Sequence, residues 1–182
     1  MMTRICSAIV ILMMPLVGCV SETVTTSVDR PPLLKPREVS PAPQSASIND
    51  LAVLSQVRPF DSNGNGFPNR FDVTVFLFSR PYPTPRFATG AIQFSLYEPG
   101  TFGQGDDVSP VRIARWTFDS EEMAVRRFRG VIGDGYTFTL DLSDLGIMSL
   151  PVKYADMVVV FAPEGGGDAI QSNSVQTIPY FR

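Results

Sequence analysis

Histidine is absent from all 182 residues of this chain. That removes Ser-His-Asp triads, histidine-bound metals and any imidazole general base. Lysine is nearly absent: Lys35 and Lys153 are alone, and neither sits in a Ser-x-x-Lys pattern. No Gly-x-Ser-x-Gly elbow occurs either. Cysteine appears only at Cys6 and Cys19. No apolar run reaches the about 20 residues that span a bilayer.

The first residues instead form a short graded series. Arg4 gives a basic start, Ile5 to Met14 an apolar stretch, and Gly18 a small residue before Cys19. This is the layout of a secretory signal. Leu16-Val17-Gly18-Cys19 resembles the lipobox of bacterial lipoproteins at all four positions. The resemblance implies a signal peptide over 1–18, cleavage before Cys19, and acylation of that cysteine. The partner it implies is the membrane, reached through Cys19. The other reading is a plain secretory signal with an incidental cysteine. Cys6 leaves with the leader, so the mature chain cannot form an internal disulfide. A lone free thiol is an oddity in an exported protein, which favours lipidation. More than one acyl chain gives stable anchoring. In the family, aspartate after the cysteine marks inner-membrane retention in some bacteria. Val20 stands there and points to the outer membrane.

Residues 19–47 are rich in Ser, Thr and Pro, with Pro31, Pro32, Pro36, Pro41 and Pro43. Proline fixes φ and lacks an amide donor, so this stretch reads as an extended linker. Its prolines are too sparse for a docking motif. Residues 48–182 are long enough for one domain with its own core. Without Arg4 the chain carries 14 basic and 18 acidic residues, a net charge of −4. That balance disfavours nucleic acid as a partner.

The domain reads as strands. Leu51 to Val57, Phe71 to Phe78, Ala91 to Tyr97, Val111 to Phe118 and Tyr136 to Leu142 are rich in β-branched and aromatic residues, mostly with period two. Met157 to Phe161 is uniformly apolar and reads as central. Ser174 to Tyr180 reads as an edge strand, because Pro179 cannot donate to a ladder. Turn signals separate them, among them Gly133-Asp134-Gly135 and Gly165-Gly166-Gly167. Asp119 with Glu122 three residues on predicts a capped helix of about two turns, ending before Gly130. The expected fold is all-β, an antiparallel sandwich of about 7–8 strands with one short helix. The order resembles immunoglobulin-like and C2-like sandwiches of envelope proteins, without their Cys…Trp…Cys framework.

One loop carries a motif. Asp61-Ser62-Asn63-Gly64-Asn65-Gly66, followed by Asp72, resembles the twelve-residue calcium loop of EF-hands and dockerin-type repeats. The resemblance implies a calcium site with Asp61, Asn63, Asn65 and Asp72 as ligands. Against it, only two carboxylates are present and the flanks read as strands. The other reading is a connection whose glycines and asparagines supply positive φ.

Other chemistry is sparse. Glu98 with Asp106 and Asp107 could pair carboxylates for glycoside chemistry, but they read as solvated loop acids. Arg126, Arg127 and Arg129 surround Phe128 and could form an anion-binding patch. Trp116 reads as core rather than a sugar platform. The expectation is a non-catalytic binding or scaffolding domain in the bacterial cell envelope, with an envelope protein or glycan as partner. The alternatives are a calcium-stabilised adhesion or carbohydrate-binding module, and an accessory domain of an envelope hydrolase.

Overall fold

The computed structural model describes residues 39–56, 58–102, 109–150, 152–173 and 175–180. All described residues, and so all strands among them, belong to one compact unit, 38–182.

These nine strands form two antiparallel sheets. They are β1 (Asp50–Ser55), β2 (Arg70–Phe78), β3 (Gly90–Tyr97), β4 (Arg112–Phe118), β5 (Arg127–Arg129), β6 (Asp134–Asp141), β7 (Tyr154–Pro163), β8 (Ile170–Gln171) and β9 (Gln176–Pro179). One sheet has the order β1-β2-β6-β5. The other runs β4-β3-β7-β8, and β9 also pairs with β7. This is the strand order of the immunoglobulin Greek key, with β4 added beside the counterpart of its third strand. The expected all-β sandwich is therefore the observed fold. The two strands that no run in the sequence marked, β5 and β8, have three and two residues, too short for any period-two signal.

The inner faces follow the alternation. Phe71, Val73, Val75 and Leu77 of β2 point inward, as do Tyr136, Phe138 and Leu140 of β6. They meet Ile92, Phe94 and Leu96 of β3, Trp116 and Phe118 of β4, and Met157, Val159 and Phe161 of β7. Phe138 lies 4.9 Å from Phe94 and 4.9 Å from Phe118, both in the opposite sheet. The Tyr136 ring is buried, and its hydroxyl donates to Ala88 O at 2.8 Å and accepts from Ala88 N at 2.9 Å. Trp116 is core, and its indole N–H donates to Asp141 O at 3.2 Å.

α1 (Ser120–Ala124) starts as expected, with both arms of the capping box between Asp119 and Glu122 present. It is shorter than the predicted two turns. Arg127-Phe128-Arg129 leave the helical path because they pair with β6 as β5.

The turn expected at Gly133-Asp134-Gly135 is displaced. Gly130 and Gly133 close it, while Asp134 and Gly135 lie within β6. Gly135 is there for space. A Cβ on it would sit 2.8 Å from the rings of Phe128 and Phe76, which meet 5.9 Å apart. The glycine triplet at 165–167 does turn β7 into β8, with positive φ at each residue.

Residues 39–47 belong with the domain rather than the linker. Arg86 donates to Pro43 O at 2.6 Å and to Gln44 O at 3.1 Å, and Asn49 N donates to Phe78 O at 3.0 Å.

Phe138→Ala should cost about 3–5 kcal/mol, because the cavity opens among rings of both sheets. Thr137 is exposed on the other face, and Thr137→Asp should cost no more than about 1 kcal/mol. Urea denaturation of the two variants checks this, and the reverse ranking would mean the faces are misassigned.

Candidate functional site

The loop over 61–69 joins β1 to β2, and it closes on itself. Asp61 Oδ1 accepts from Gly64 N at 2.7 Å, and Oδ2 accepts from Gly66 N at 2.6 Å. Asn63 Oδ1 accepts from Asn65 N at 3.1 Å, and Asn65 Oδ1 accepts from Phe67 N at 2.8 Å. Gly64 and Gly66 take φ of 73° and 87°, the left-handed region that suits glycine. Burial raises the pKa of Asp61, but the backbone amides of Gly66, Gly64, Asn63 and Asn65 outweigh it and hold the carboxyl below 3.8.

Asp72 is spent elsewhere. It faces outward on β2, where Oδ1 accepts from Thr139 Oγ1 at 2.7 Å and Oδ2 from Gln56 Nε2 at 3.3 Å. The structure thus brings Asp61, Asn63 and Asn65 into one turn and ties Asp72 to the sheet. Among the described residues, no three His, Cys, Asp or Glu side chains group to hold a metal ion.

The carboxylate beside the loop is Asp141, at the end of β6. Asn69 is 1% exposed, and its amide donates to Asp141 Oδ1 at 2.8 Å and to Ser62 Oγ at 2.9 Å. Its Oδ1 accepts from Ser62 N at 2.8 Å. Ser62 Oγ donates to Asp141 Oδ2 at 3.2 Å, and Ser143 donates to Asp141 Oδ1 through both its amide and its hydroxyl. Asn65 Nδ2 reaches Met148 O at 3.1 Å. The loop is therefore pinned to the segment that follows β6. Asp141 and Asn69 carry no motif; only the outward position of Asp141 at the end of a period-two strand hinted at a role. Burial raises the pKa of Asp141, but hydrogen bonds from Ser143, Ser62 and Asn69 outweigh it and leave it below 3.8.

The other candidates disperse. Cys19, Asp106 and Asp107 lie outside the described residues. Arg126 donates to Glu122 O at 2.5 Å and lies over Phe118, Arg127 lies over Phe87, and Arg129 pairs with Asp134 at 3.0 Å. Each arginine of the supposed anion patch thus has an internal partner. On the outer face of the first sheet, Phe76 and Phe78 are covered by Phe128 and by Arg80, whose guanidinium sits 4.7 Å from the Phe78 ring centre. A cleft of ≈ 540 Å³ opens where the chain enters the domain, between Ser47-Ile48-Asn49 and the 164–168 turn with Glu164 and Asp168. Among the described residues no helix is long and apolar enough to cross a membrane.

Compared with protein-family models and with curated proteins, the chain matches none.

A depressed carboxyl stabilises the fold above its ordinary pKa of 3.8, and this contribution is lost as pH falls through the lower folded value. Thermal melts should therefore hold steady near neutrality and fall below about pH 4. Asp141→Asn should lower the melting temperature at pH 7 and flatten that acid limb; an unchanged limb would remove Asp141 from its cause.

The loop's oxygens already serve its own amides. Calcium up to about 10 mM, above the range of weak extracellular sites, should leave the melting temperature unmoved. Asp61→Ala should lower it equally with and without the ion. A calcium-dependent rise that Asp61→Ala abolishes would restore the metal reading.

Proposed function

We propose that this protein is a lipid-anchored envelope protein whose sandwich domain binds or scaffolds rather than catalyses. The observation that carries the reading is Cys19. It is the one cysteine left after the leader, and it stands at the lipobox position behind Leu16-Val17-Gly18. Acylation there ties the chain to a bilayer. Val20 favours the outer membrane.

Binding is supported over catalysis by the chemistry of the side chains. No imidazole exists in the chain, and the best-connected carboxylates, Asp61 and Asp141, serve backbone amides and the Asn69 amide. Asp141 is an organiser of loops in this arrangement, not a base aimed at a substrate. A carbohydrate module has less support, since Phe76 and Phe78 lie beneath other side chains. The partner in this reading is another envelope component that meets the sandwich from outside its core.

Cys19→Ser decides the anchor. The variant should leave the membrane fraction or accumulate unprocessed. A correctly cleaved Cys19→Ser chain that stays with the membrane would overturn the reading.

A further inference from the structure

The hairpin between β5 and β6 carries an anomaly at its tip. Gly130 N donates to Gly133 O at 3.0 Å, and Gly133 N donates back to Gly130 O at 3.1 Å. The two residues between them are Val131 and Ile132. Tight hairpin turns favour Asn, Asp and Gly. Here two β-branched side chains stand in water, Val131 at 108% and Ile132 at 56% exposure. Neither belongs to the core.

The tip also has a definite place. Arg129 pairs with Asp134, and Asp50 pairs with Phe78, so the hairpin turn and the start of β1 lie at one end of the sandwich. A Cβ on Gly133 would meet the Pro85 ring at 2.9 Å. The next residue, Arg86, grips the Pro43 and Gln44 carbonyls. The apolar tip therefore sits beside the point where the N-terminal chain joins the domain.

We propose that Val131 and Ile132 dip into the headgroup boundary of the bilayer that holds the anchor. This rests on the reading of Cys19 as lipidated. Twenty residues run from Cys19 to Glu38. An extended linker of that length spans about 60 Å, and about 70 Å at most. The tether thus holds the tip near the membrane at about millimolar effective concentration, so weak insertion is enough. At the base of the tip Arg129 is largely exposed and faces Asp134 at 3.0 Å. That pair stays at the polar level of the headgroups while the tip enters apolar surroundings.

The test uses the mature lipidated chain in vesicles of phosphatidylethanolamine and phosphatidylglycerol. A polarity-sensitive fluorophore is placed on Ile132→Cys and, as reference, on Met148→Cys. Met148 is exposed beyond the opposite end of β6. Flotation with the vesicles reads the anchor, and Cys19 as a thioether takes no label. The expected result is a blue shift and loss of most iodide quenching at position 132, with position 148 still quenched. A chain that floats with position 132 open to iodide overturns the insertion and leaves the anchor standing. A chain that does not float overturns both. Shielding in native envelopes but not in vesicles assigns the tip to a protein partner and overturns the insertion.

Discussion

Phe138 reaching between Phe94 and Phe118 is the contact on which the sandwich depends. A disulfide holds the two sheets of many domains with this strand order. Residues 39–182 contain no cysteine, so no such bond exists in the domain. The sheets adhere instead through rings. Phe138 touches both aromatic partners across the interface at 4.9 Å, and Phe71 meets Trp116 edge-on at 6.0 Å and Tyr180 at 6.2 Å. Such pairs add about 0.5–1.5 kcal/mol beyond the area they bury. Non-directional burial alone would let the sheets slide; interlocked rings and the doubly bonded Tyr136 hydroxyl set their register.

Aromatic adhesion works in the dry interior and fails where strands end and backbone groups meet water. There the protein uses short polar side chains. Asn69, Ser62, Asp141 and Ser143 share their donors and acceptors, so the loop after β1 and the turn after β6 satisfy each other. Trp116 links the two regimes, with its ring in the core and its N–H on the Asp141 carbonyl. A change at Asp141 is therefore felt by the edge of the core as well as by the loop.

Much of this was legible in the sequence where one physical rule acts alone. Period two located β2, β3, β4 and β6, a uniformly apolar run located β7, and Asp119 with Glu122 located the start of α1. Legibility ended where two rules compete. Gly133 and Gly135 are both glycines in a polar-looking turn, yet one closes a hairpin and the other makes room for Phe76 and Phe128. Arg126 to Arg129 have helical composition, but β6 offers them a ladder. Asp61 and Asp72 fall at metal-ligand spacing, yet Asp61 turns onto the amides of its own loop while Asp72 leaves β2 towards Thr139. That direction follows from register with β6, and register is a tertiary fact.

The entry of the chain makes the same point. Residues 39–47 have the composition of a linker, and Pro41 and Pro43 keep them out of any ladder. What holds them is the guanidinium of Arg86 on two backbone carbonyls. Carbonyls are present whatever the side chains are, so composition is blind to such a clasp. Its consequence is mechanical. Residues 43 and 44 are held beside Pro85 and the β5–β6 hairpin. A pull on the N-terminus therefore acts on the end of the sandwich that carries Val131 and Ile132, and leaves the polar knot at the other end facing away.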